Sequence, residues 1–204
     1  MRRFTLHTLA ATVSAVLVAC SSGPGAPVDP QAYTKKILDA RAEKDQAFRD
    51  EPEPIPASKR DKLLPLRYYA PDASFNVPAE LKLADQRPVF EMPTSTGKLR
   101  RMERVGVLEF SLKGQPMSLA AFVEEGQKVE QLFVPFADLT TGKETYPAGR
   151  YLDLHPTSTG FYAIDFNLAY NPTCAYNEQY DCPYPPPSNR LKVEIKAGEK
   201  APGT

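Results

Sequence analysis

Apolar and polar residues alternate along much of the chain from residue 72 onward, a pattern typical of strands with one buried face. The clearest run has apolar side chains at every second position: Phe75, Val77, Ala79, Leu81 and Leu83. Further apolar stretches, separated by glycine-containing turn signals, lie at residues 105–112, 117–123, 129–136, 150–154, 161–166 and 191–195. The apolar parity shifts by one residue around Gly106, which predicts a β-bulge. About seven to eight short strands therefore predict a mainly β protein, an antiparallel β-sandwich or barrel-like domain.

A helical pattern precedes these strands. Asp29 offers an N-cap carboxylate, and Pro30 suits the first position of a helix. The apolar residues that follow lie broadly on one face: Tyr33, Ile37, Ala40, Ala47 and Phe48. The pattern predicts an N-terminal amphipathic helix over 30–49, because the alternating prolines of 51–56 cannot continue it. We expect this helix to pack on one side or end of the sheet, so that residues 29–204 form a single domain.

The first residues carry a different signal. Arg2 and Arg3 precede a mostly apolar segment, 6–19, that contains no acidic residue. This segment is shorter than the ~20 apolar residues that span a bilayer, but it suits a secretory signal peptide. Residues 17–20 read Leu-Val-Ala-Cys, which resembles the lipobox of bacterial lipoproteins. The alternative is an ordinary signal peptide beside an incidental cysteine.

The lipobox resemblance implies both processing and location. It makes residues 1–19 a cleaved signal peptide, Cys20 the lipidated residue, and residues 20–28 a flexible tether rich in proline, glycine and serine. Two or three acyl chains hold a protein stably at a membrane, so the predicted partner is a membrane and the predicted location the cell envelope. Ser21, rather than aspartate, follows the cysteine. By resemblance to the enterobacterial sorting rule, this predicts the outer membrane, facing the periplasm, in a Gram-negative organism.

The charge balance narrows the classes of partner. The 204 residues include 25 Lys+Arg and 25 Asp+Glu, and removing Arg2 and Arg3 leaves 23 basic residues against 25 acidic ones, a net charge of −2. A surface that neutralises phosphates needs an excess of basic residues, so we expect no nucleic-acid partner. The sequence contains no Gly-x-Ser-x-Gly, glycine-rich phosphate-loop or His-Glu-x-x-His motif, and we predict no cofactor.

Residues 132–190 contain a series of short motifs rich in tyrosine, proline and polar residues. The motifs lie at 133–138, 142–146, 149–151, 165–167, 170–172, 174–176, 182–183 and 185–190. Together they resemble the uncharacterised bacterial family known as domain of unknown function 1684 (DUF1684). Lys44-Asp45 with Phe48, and residues 66–71, also resemble that family, so the resemblance covers roughly 30–200. It implies an all-β core behind a helix and no established activity.

Two cysteines remain once Cys20 is assigned to lipid. Cys174 and Cys182 are separated by seven residues, and the default state of such a pair outside the cytoplasm is a disulfide. Closing a loop of this size is worth roughly 2–3 kcal/mol. Free thiols and a metal site that uses both thiolates are the alternatives. The spacing is long for zinc-binding cysteines and His155 is the single imidazole of the mature chain, so we predict no metal site.

The same segment supplies the candidate binding residues. Tyrosine offers a flat apolar face with a polar tip, and the guanidinium fork of arginine binds carboxylates and phosphates. We expect a ligand site built by Glu144, Tyr146, Arg150, Tyr151, Asp165, Asn167, Tyr170 and Arg190. The competing interpretation is structural, with internal salt bridges Arg150–Glu144 and Arg190–Asp165 that fasten loops to the sheet.

These features predict a lipid-anchored cell-envelope protein that binds a small molecule, a glycan or a peptide. One alternative is an envelope hydrolase, in which two of Asp138, Glu144 and Asp165 act as acid and base. That chemistry needs two carboxyl groups about 5–10 Å apart in one cleft. The other alternative is a purely structural lipoprotein, which needs no pocket of ~300 Å³ or more. The sequence leaves these three functions open.

Overall fold

The structure is a computed structural model that describes residues 29–203. The predicted signal peptide, Cys20 and the tether therefore lie outside the described residues. Helix α1, Pro30–Asp50, begins where the sequence predicts, because the Asp29 carboxylate accepts the backbone N–H of Gln31 at 2.8 Å. Its buried face carries Tyr33 and Ile37 as expected, and also Arg41. Helix α2, Ala57–Leu63, follows the proline-rich stretch.

Seven strands form one antiparallel sheet, which confirms the predicted fold class. They are β1 (Asn76–Leu83), β2 (Val89–Pro93), β3 (Leu99–Leu112), β4 (Gln115–Glu124), β5 (Leu132–Phe136), β6 (Arg150–Leu154) and β7 (Tyr162–Asp165). Their order is β6-β5-β4-β3-β1-β7, and β2 pairs with the free half of β3. Backbone bridges Pro156–Tyr162 and Tyr151–Tyr170 bring the two outer strands towards each other. The sheet is thus barrel-like and nearly closed rather than a sandwich of two sheets.

The bulge predicted near Gly106 is confirmed and divides β3 in two. The pairing of β3 with β4 shifts register between Arg104 and Gly106, and β3 pairs with β2 before the shift and with β1 after it. A Cβ atom on Gly106 would lie 2.2 Å from the carbonyl oxygen of Lys82, so the close approach of β1 to β3 requires glycine there.

One predicted strand does not form, and one strand is missed by the sequence pattern. Residues 191–195, which alternate like a strand, are irregular, and β2 lies outside all the predicted stretches. Single hydrogen bonds tie this C-terminal segment to the chain after β5, from Leu191 N–H to Ala137 O at 2.8 Å and from Leu139 N–H to Val193 O at 3.0 Å. The backbone of Ile195 bonds to charged side chains instead of a neighbouring strand.

The main core fills the curved sheet. Fully buried Leu108, Leu119, Val134 and Ile164 belong to it, with the C-terminal segment closing one side. A smaller cluster around Ile55, Leu64, Leu66 and Tyr176 joins the region after α1 to the loops beyond β7. Among the helices within residues 29–203, none has the length and hydropathy needed to cross a bilayer.

Candidate functional site

Arg150, the first residue of β6, is a buried structural residue rather than a ligand-binding one. Its guanidinium lies 2.9 Å from the Asp138 carboxylate, and each of the two side chains is 1% exposed. It also donates to the carbonyl oxygens of Ile195 at 2.8 Å, Glu199 at 3.2 Å and Ala197. Burial lowers the pKa of Arg150, and the neighbouring Asp138 opposes this shift. The predicted salt bridge between Arg150 and Glu144 is not formed, because Arg150 pairs with Asp138 instead.

Asp138 is fully occupied within this cluster. Besides Arg150, its carboxylate accepts the Thr140 backbone N–H at 2.7 Å, the Thr140 hydroxyl at 2.6 Å and the Ile195 N–H at 3.2 Å. A carboxylate with these partners and only 1% of its side chain exposed is not placed to exchange protons with a substrate. Asp138 therefore fastens the C-terminal segment to the sheet.

Asp165 and Asn167 lie between the end of β7 and helix α1. The Tyr33 hydroxyl donates to both Asp165 carboxylate oxygens, at 2.9 and 3.0 Å, and the backbone N–H of Asn167 donates to one of them at 3.0 Å. The Asn167 amide also donates to the Asp72 carbonyl oxygen at 2.8 Å. Burial, followed by the charge of Asp165, raises the pKa of Tyr33. Asp165 thus docks the helix, and the predicted Arg190–Asp165 salt bridge is not formed.

The remaining carboxylate candidate, Glu144, lies in a third environment. Its side chain is exposed and comes within 3.5 Å of the Lys196 ammonium group. Asp138 is buried in an ion pair, Asp165 is bound by Tyr33 and Asn167, and Glu144 is on the surface. The three carboxylates proposed for a hydrolase therefore occupy separate surroundings.

Tyr151 and Tyr170 form an aromatic pair at the edge of β6. Their rings meet edge to face with centroids 5.8 Å apart. The Tyr151 hydroxyl donates to the Pro183 carbonyl oxygen at 2.5 Å, and the Tyr170 hydroxyl donates to the Asp153 carboxylate at 2.7 Å. Tyr170 also lines a cleft of about 260 Å³ between β6 and β7, together with Asp153, His155 and Asp165.

Two of the eight predicted residues, Tyr146 and Arg190, do meet in an open cleft. This tyrosine–arginine cleft has a volume of about 430 Å³ and is lined by Ala137, Tyr146, Pro147, Ala148, Tyr184, Pro185 and Arg190. Of the lining residues within 29–203, Arg190 alone is charged. Arg190 is also exposed, and within residues 29–203 its side chain forms no salt bridge and no hydrogen bond. Among the described residues, the cleft therefore presents an unpaired guanidinium together with two tyrosine side chains.

A buried asparagine and a glycine shape this cleft. The Asn189 amide exchanges two 2.8 Å hydrogen bonds with the backbone of Ala120 and donates a third to the Pro135 carbonyl oxygen. This fixes the chain just before Arg190. Gly149 has a φ of +85°, and a Cβ there would lie 2.5 Å from the Phe136 carbonyl oxygen and 2.7 Å from Pro185.

Tyr146 also borders a second cleft, of about 490 Å³. Its other walls come from α2, from the chain after Cys174 and from the C-terminal residues, including Lys59, Lys62, Tyr176 and Pro202. Burial, and then the neighbouring Cys174, raises the pKa of Tyr146 to about 12. The Tyr146 hydroxyl is therefore a hydrogen-bonding group at neutral pH and not a base.

Sequence reasoning missed Glu199, which is 1% exposed. Its carboxylate accepts from the Lys44 ammonium at 2.5 Å, the Tyr176 hydroxyl at 2.5 Å and the Asn171 backbone N–H at 2.7 Å. A single glutamate in a short polar tail gives no periodicity, so no sequence signal marked it.

Cys174 and Cys182 are free thiols in the structure, so the predicted disulfide is not formed there. They are nevertheless adjacent, because the Cys174 backbone N–H donates to the Cys182 sulfur at 3.1 Å. In the part of the chain that the structure describes, no group of three or more His, Cys, Asp or Glu side chains is arranged to hold a metal ion.

Comparisons with known proteins extend the resemblance without adding an activity. The model of a family described as "Protein of unknown function (DUF1684)" matches residues 62–200, from α2 to the C-terminal segment. The chain is also similar to the solution NMR structure of an uncharacterised protein from Haloarcula marismortui, with 36% identity and a TM-score of 0.66. That similarity covers 83% of this chain and 95% of the other. No curated protein matches the chain.

Proposed function

Because the chain belongs to the DUF1684 family, whose description names no activity, we propose a function from its own residues. The protein is a lipid-anchored cell-envelope protein that binds a small carboxylate-bearing molecule in the tyrosine–arginine cleft. The ligand class includes acidic sugars and short peptides with a free C terminus.

The observation that carries this proposal is the state of Arg190. Arg150 and Arg41 are buried and donate to carboxylate or carbonyl oxygens, whereas Arg190 is exposed and has no such acceptor within the described chain. A guanidinium offers two parallel donors to a carboxylate, which gives both affinity and orientation. With Arg190 as the one charged residue among the described residues that line it, the cleft favours an anion over a cation or a neutral ligand.

The other walls of the cleft suit the flat body of such a ligand. Tyr184 is 38% exposed and Tyr146 is partly exposed, and the prolines Pro147 and Pro185 line the same cleft. Tyrosine rings stack on sugar or peptide surfaces with little loss of side-chain entropy. The volume of about 430 Å³ falls within the range of roughly 300–1,000 Å³ typical of small-molecule sites. This volume weighs against a purely structural role.

Calorimetric titration of the detergent-purified protein tests the binding proposal. The probes are hexuronic acids, aromatic carboxylic acids and dipeptides, each compared with its own primary amide. At least one acid is expected to bind more tightly than its amide. Arg190→Gln should weaken that binding roughly 10- to 100-fold, the value of a charge-assisted hydrogen-bonding pair. Arg190→Lys keeps the positive charge but loses the two parallel donors of the guanidinium. Its affinity for the acid should therefore lie between those of the unsubstituted protein and of Arg190→Gln.

Arg104→Gln is the matched control, because Arg104 is an exposed arginine on β3 and does not line the cleft. Its affinity for the same acid should equal that of the unsubstituted protein. Equal binding of acids and amides, or equal loss in the Arg190 and Arg104 variants, contradicts the proposal.

The anchor is tested by following the fate of Cys20 in cells. The expected mature chain begins at Cys20, carries acyl mass and sediments with membranes, since two or more chains anchor stably. Cys20→Ser should keep residues 1–19 and carry no lipid. Ser21→Asp should move the protein from the outer to the inner membrane of a Gram-negative host. Cleavage at another residue without acyl mass indicates an ordinary signal peptide instead.

A further inference from the structure

The two cysteines occupy one spot where the loop beyond β7 meets the β2–β3 turn. Cys174 lies in the 3-10 turn Thr173–Ala175, and Cys182 precedes Pro183, which bridges to Thr94. The Ser95 backbone N–H donates to the Cys182 carbonyl oxygen at 2.9 Å, and the Cys182 N–H donates to the Ser95 hydroxyl at 3.1 Å. This double attachment fixes Cys182 to the sheet.

The surroundings of the two sulfur atoms differ. The Cys182 sulfur receives the Cys174 backbone N–H at 3.1 Å and lies 3.6 Å from the Thr173 hydroxyl. The Cys174 side chain lies beside it, and this contact, followed by those of Thr173 and the Cys174 backbone, lowers the pKa of Cys182. The same contact raises the pKa of Cys174. Cys182 is therefore the cysteine with donors arranged around a thiolate.

Nearby charges also favour a thiolate at Cys182. The Arg100 guanidinium donates to the Asp181 carbonyl oxygen at 2.7 Å, next to Cys182 in the chain. The adjacent carboxylate of Asp181 is itself bound by the Thr96 hydroxyl at 2.5 Å and lies 3.4 Å from Arg100. Its negative charge is thus partly balanced.

Both cysteines are buried, and exposed residues lie close to them. Ser95, which bonds to the Cys182 backbone and contacts the Cys174 thiol, is exposed. The chain between the two cysteines includes exposed Glu178 and Gln179. A small reagent therefore reaches the sulfur atoms only if groups such as Ser95 or this loop move aside.

We propose that Cys174 and Cys182 form a thiol–disulfide exchange site for low-molecular-weight disulfides, with Cys182 as the attacking residue and Cys174 as the resolving residue. The Cys182 thiolate attacks one sulfur of a disulfide RSSR, forms a mixed disulfide and releases RS⁻. The Cys174 thiol loses its proton to solvent, and the resulting thiolate attacks the Cys182 sulfur. The Cys174–Cys182 bond forms, the mixed-disulfide S–S bond breaks, and a second RS⁻ leaves and is protonated by solvent. The protein dithiol is oxidised by two electrons and RSSR is reduced to two thiols. This activity is separate from ligand binding in the tyrosine–arginine cleft.

Glutathione disulfide is the probe for the equilibrium experiment. The full protein is purified in detergent, reduced, and equilibrated in mixtures of glutathione and glutathione disulfide without denaturant, and then the free thiols are alkylated. Proteolysis after Glu178 separates the two cysteines, which share one tryptic peptide, 151–190. We expect a reversible loss of two hydrogens and a linked peptide pair that glutathione alone reopens. A bond that native protein never forms, or one that glutathione cannot reduce, overturns the proposal.

Single substitutions assign the two roles. Cys174→Ser leaves the attacking residue without its resolving partner, so it should accumulate a mixed disulfide with glutathione at Cys182. Cys182→Ser should form the corresponding adduct at Cys174 at least about tenfold more slowly. The reason is that the Cys174 thiol lacks the hydrogen-bond donors that surround the Cys182 sulfur. Equal rates, or a faster Cys182→Ser variant, contradict the assignment.

Unsubstituted protein gives an independent measure of the same asymmetry. In reduced protein, iodoacetamide should label the Cys182 peptide at least about tenfold faster than the Cys174 peptide, which does not depend on how either variant folds. Thr173→Val removes the nearby hydroxyl and should slow Cys182 labelling alone. Preferential labelling of Cys174 overturns the proposal.

Discussion

At the residue scale, the structure separates polar side chains that build the protein from those that face a ligand. Arg150 looked like a binding residue in the sequence, but its donors are directed at Asp138 and at carbonyl oxygens of the C-terminal segment. Burying an ion pair is costly unless each group is satisfied, and here almost every one is. Only the Arg150 Nε atom has no partner within the described chain. The buried pair therefore holds residues 195–199 against the sheet through hydrogen bonds to their backbone.

Removing one partner of this pair should destabilise the whole domain. Asp138→Ala leaves the Arg150 guanidinium buried without its carboxylate, and we expect the free energy of unfolding to fall by about 3–5 kcal/mol. Urea unfolding followed by circular dichroism measures the change. The control is Glu144→Gln, which removes the exposed carboxylate that the sequence had suggested as the partner. It should change stability by less than about 0.5 kcal/mol, and equal losses in the two variants would contradict this account.

At the element scale, alternation predicted burial better than it predicted hydrogen bonding. Residues 191–195 alternate in burial like a strand, with Leu191 and Ile195 buried and Lys192 and Glu194 exposed. They form no strand because backbone groups of Ile195 bind Asp138 and Arg150. Strand β2 shows the reverse case. Its one buried residue is Met92, so no alternating pattern marks it, and its pairing with β3 provides the structure.

Because a sequence pattern does not give the contact partners of a residue, most of the predicted site residues do not share one site. The predicted residues all fall in 144–190, but short strands and turns direct their side chains to different sides of the barrel-like sheet. Asp165 and Asn167 meet α1, and Arg150 points inward. Tyr146 and Arg190 line one cleft, whereas Asp165 and Tyr170 line another. Sequence spacing identified residues with unusual roles. The partners of these residues lie elsewhere in the chain, and Asp165 pairs with Tyr33 across 132 positions.

At the scale of the whole molecule, tyrosine hydroxyls join the parts that the sheet does not hold. Tyr33 ties α1 to β7, Tyr151 ties β6 to the proline loop through the Pro183 carbonyl oxygen, and Tyr176 binds the C-terminal Glu199. Burial is the first cause that raises the pKa of each, and the carboxylates beside Tyr33 and Tyr176 raise theirs further. These contacts exist only while the phenols keep their protons.

This arrangement predicts a loss of stability at alkaline pH. The unfolded chain releases its tyrosine protons near pH 10, whereas the folded chain retains them to higher pH, so the folded state binds more protons there. The stabilisation is therefore complete below about pH 10 and declines as the pH rises towards the folded pKa values. Urea unfolding at a series of pH values measures the decline, and tyrosinate absorbance should appear together with unfolding. Tyr151→Phe should reduce the slope of the free energy of unfolding against pH in this range, while the exposed control Tyr184→Phe should leave that slope unchanged. A free energy of unfolding that stays constant from about pH 9 to about pH 11.5 would show that these hydroxyls do not hold the molecule together.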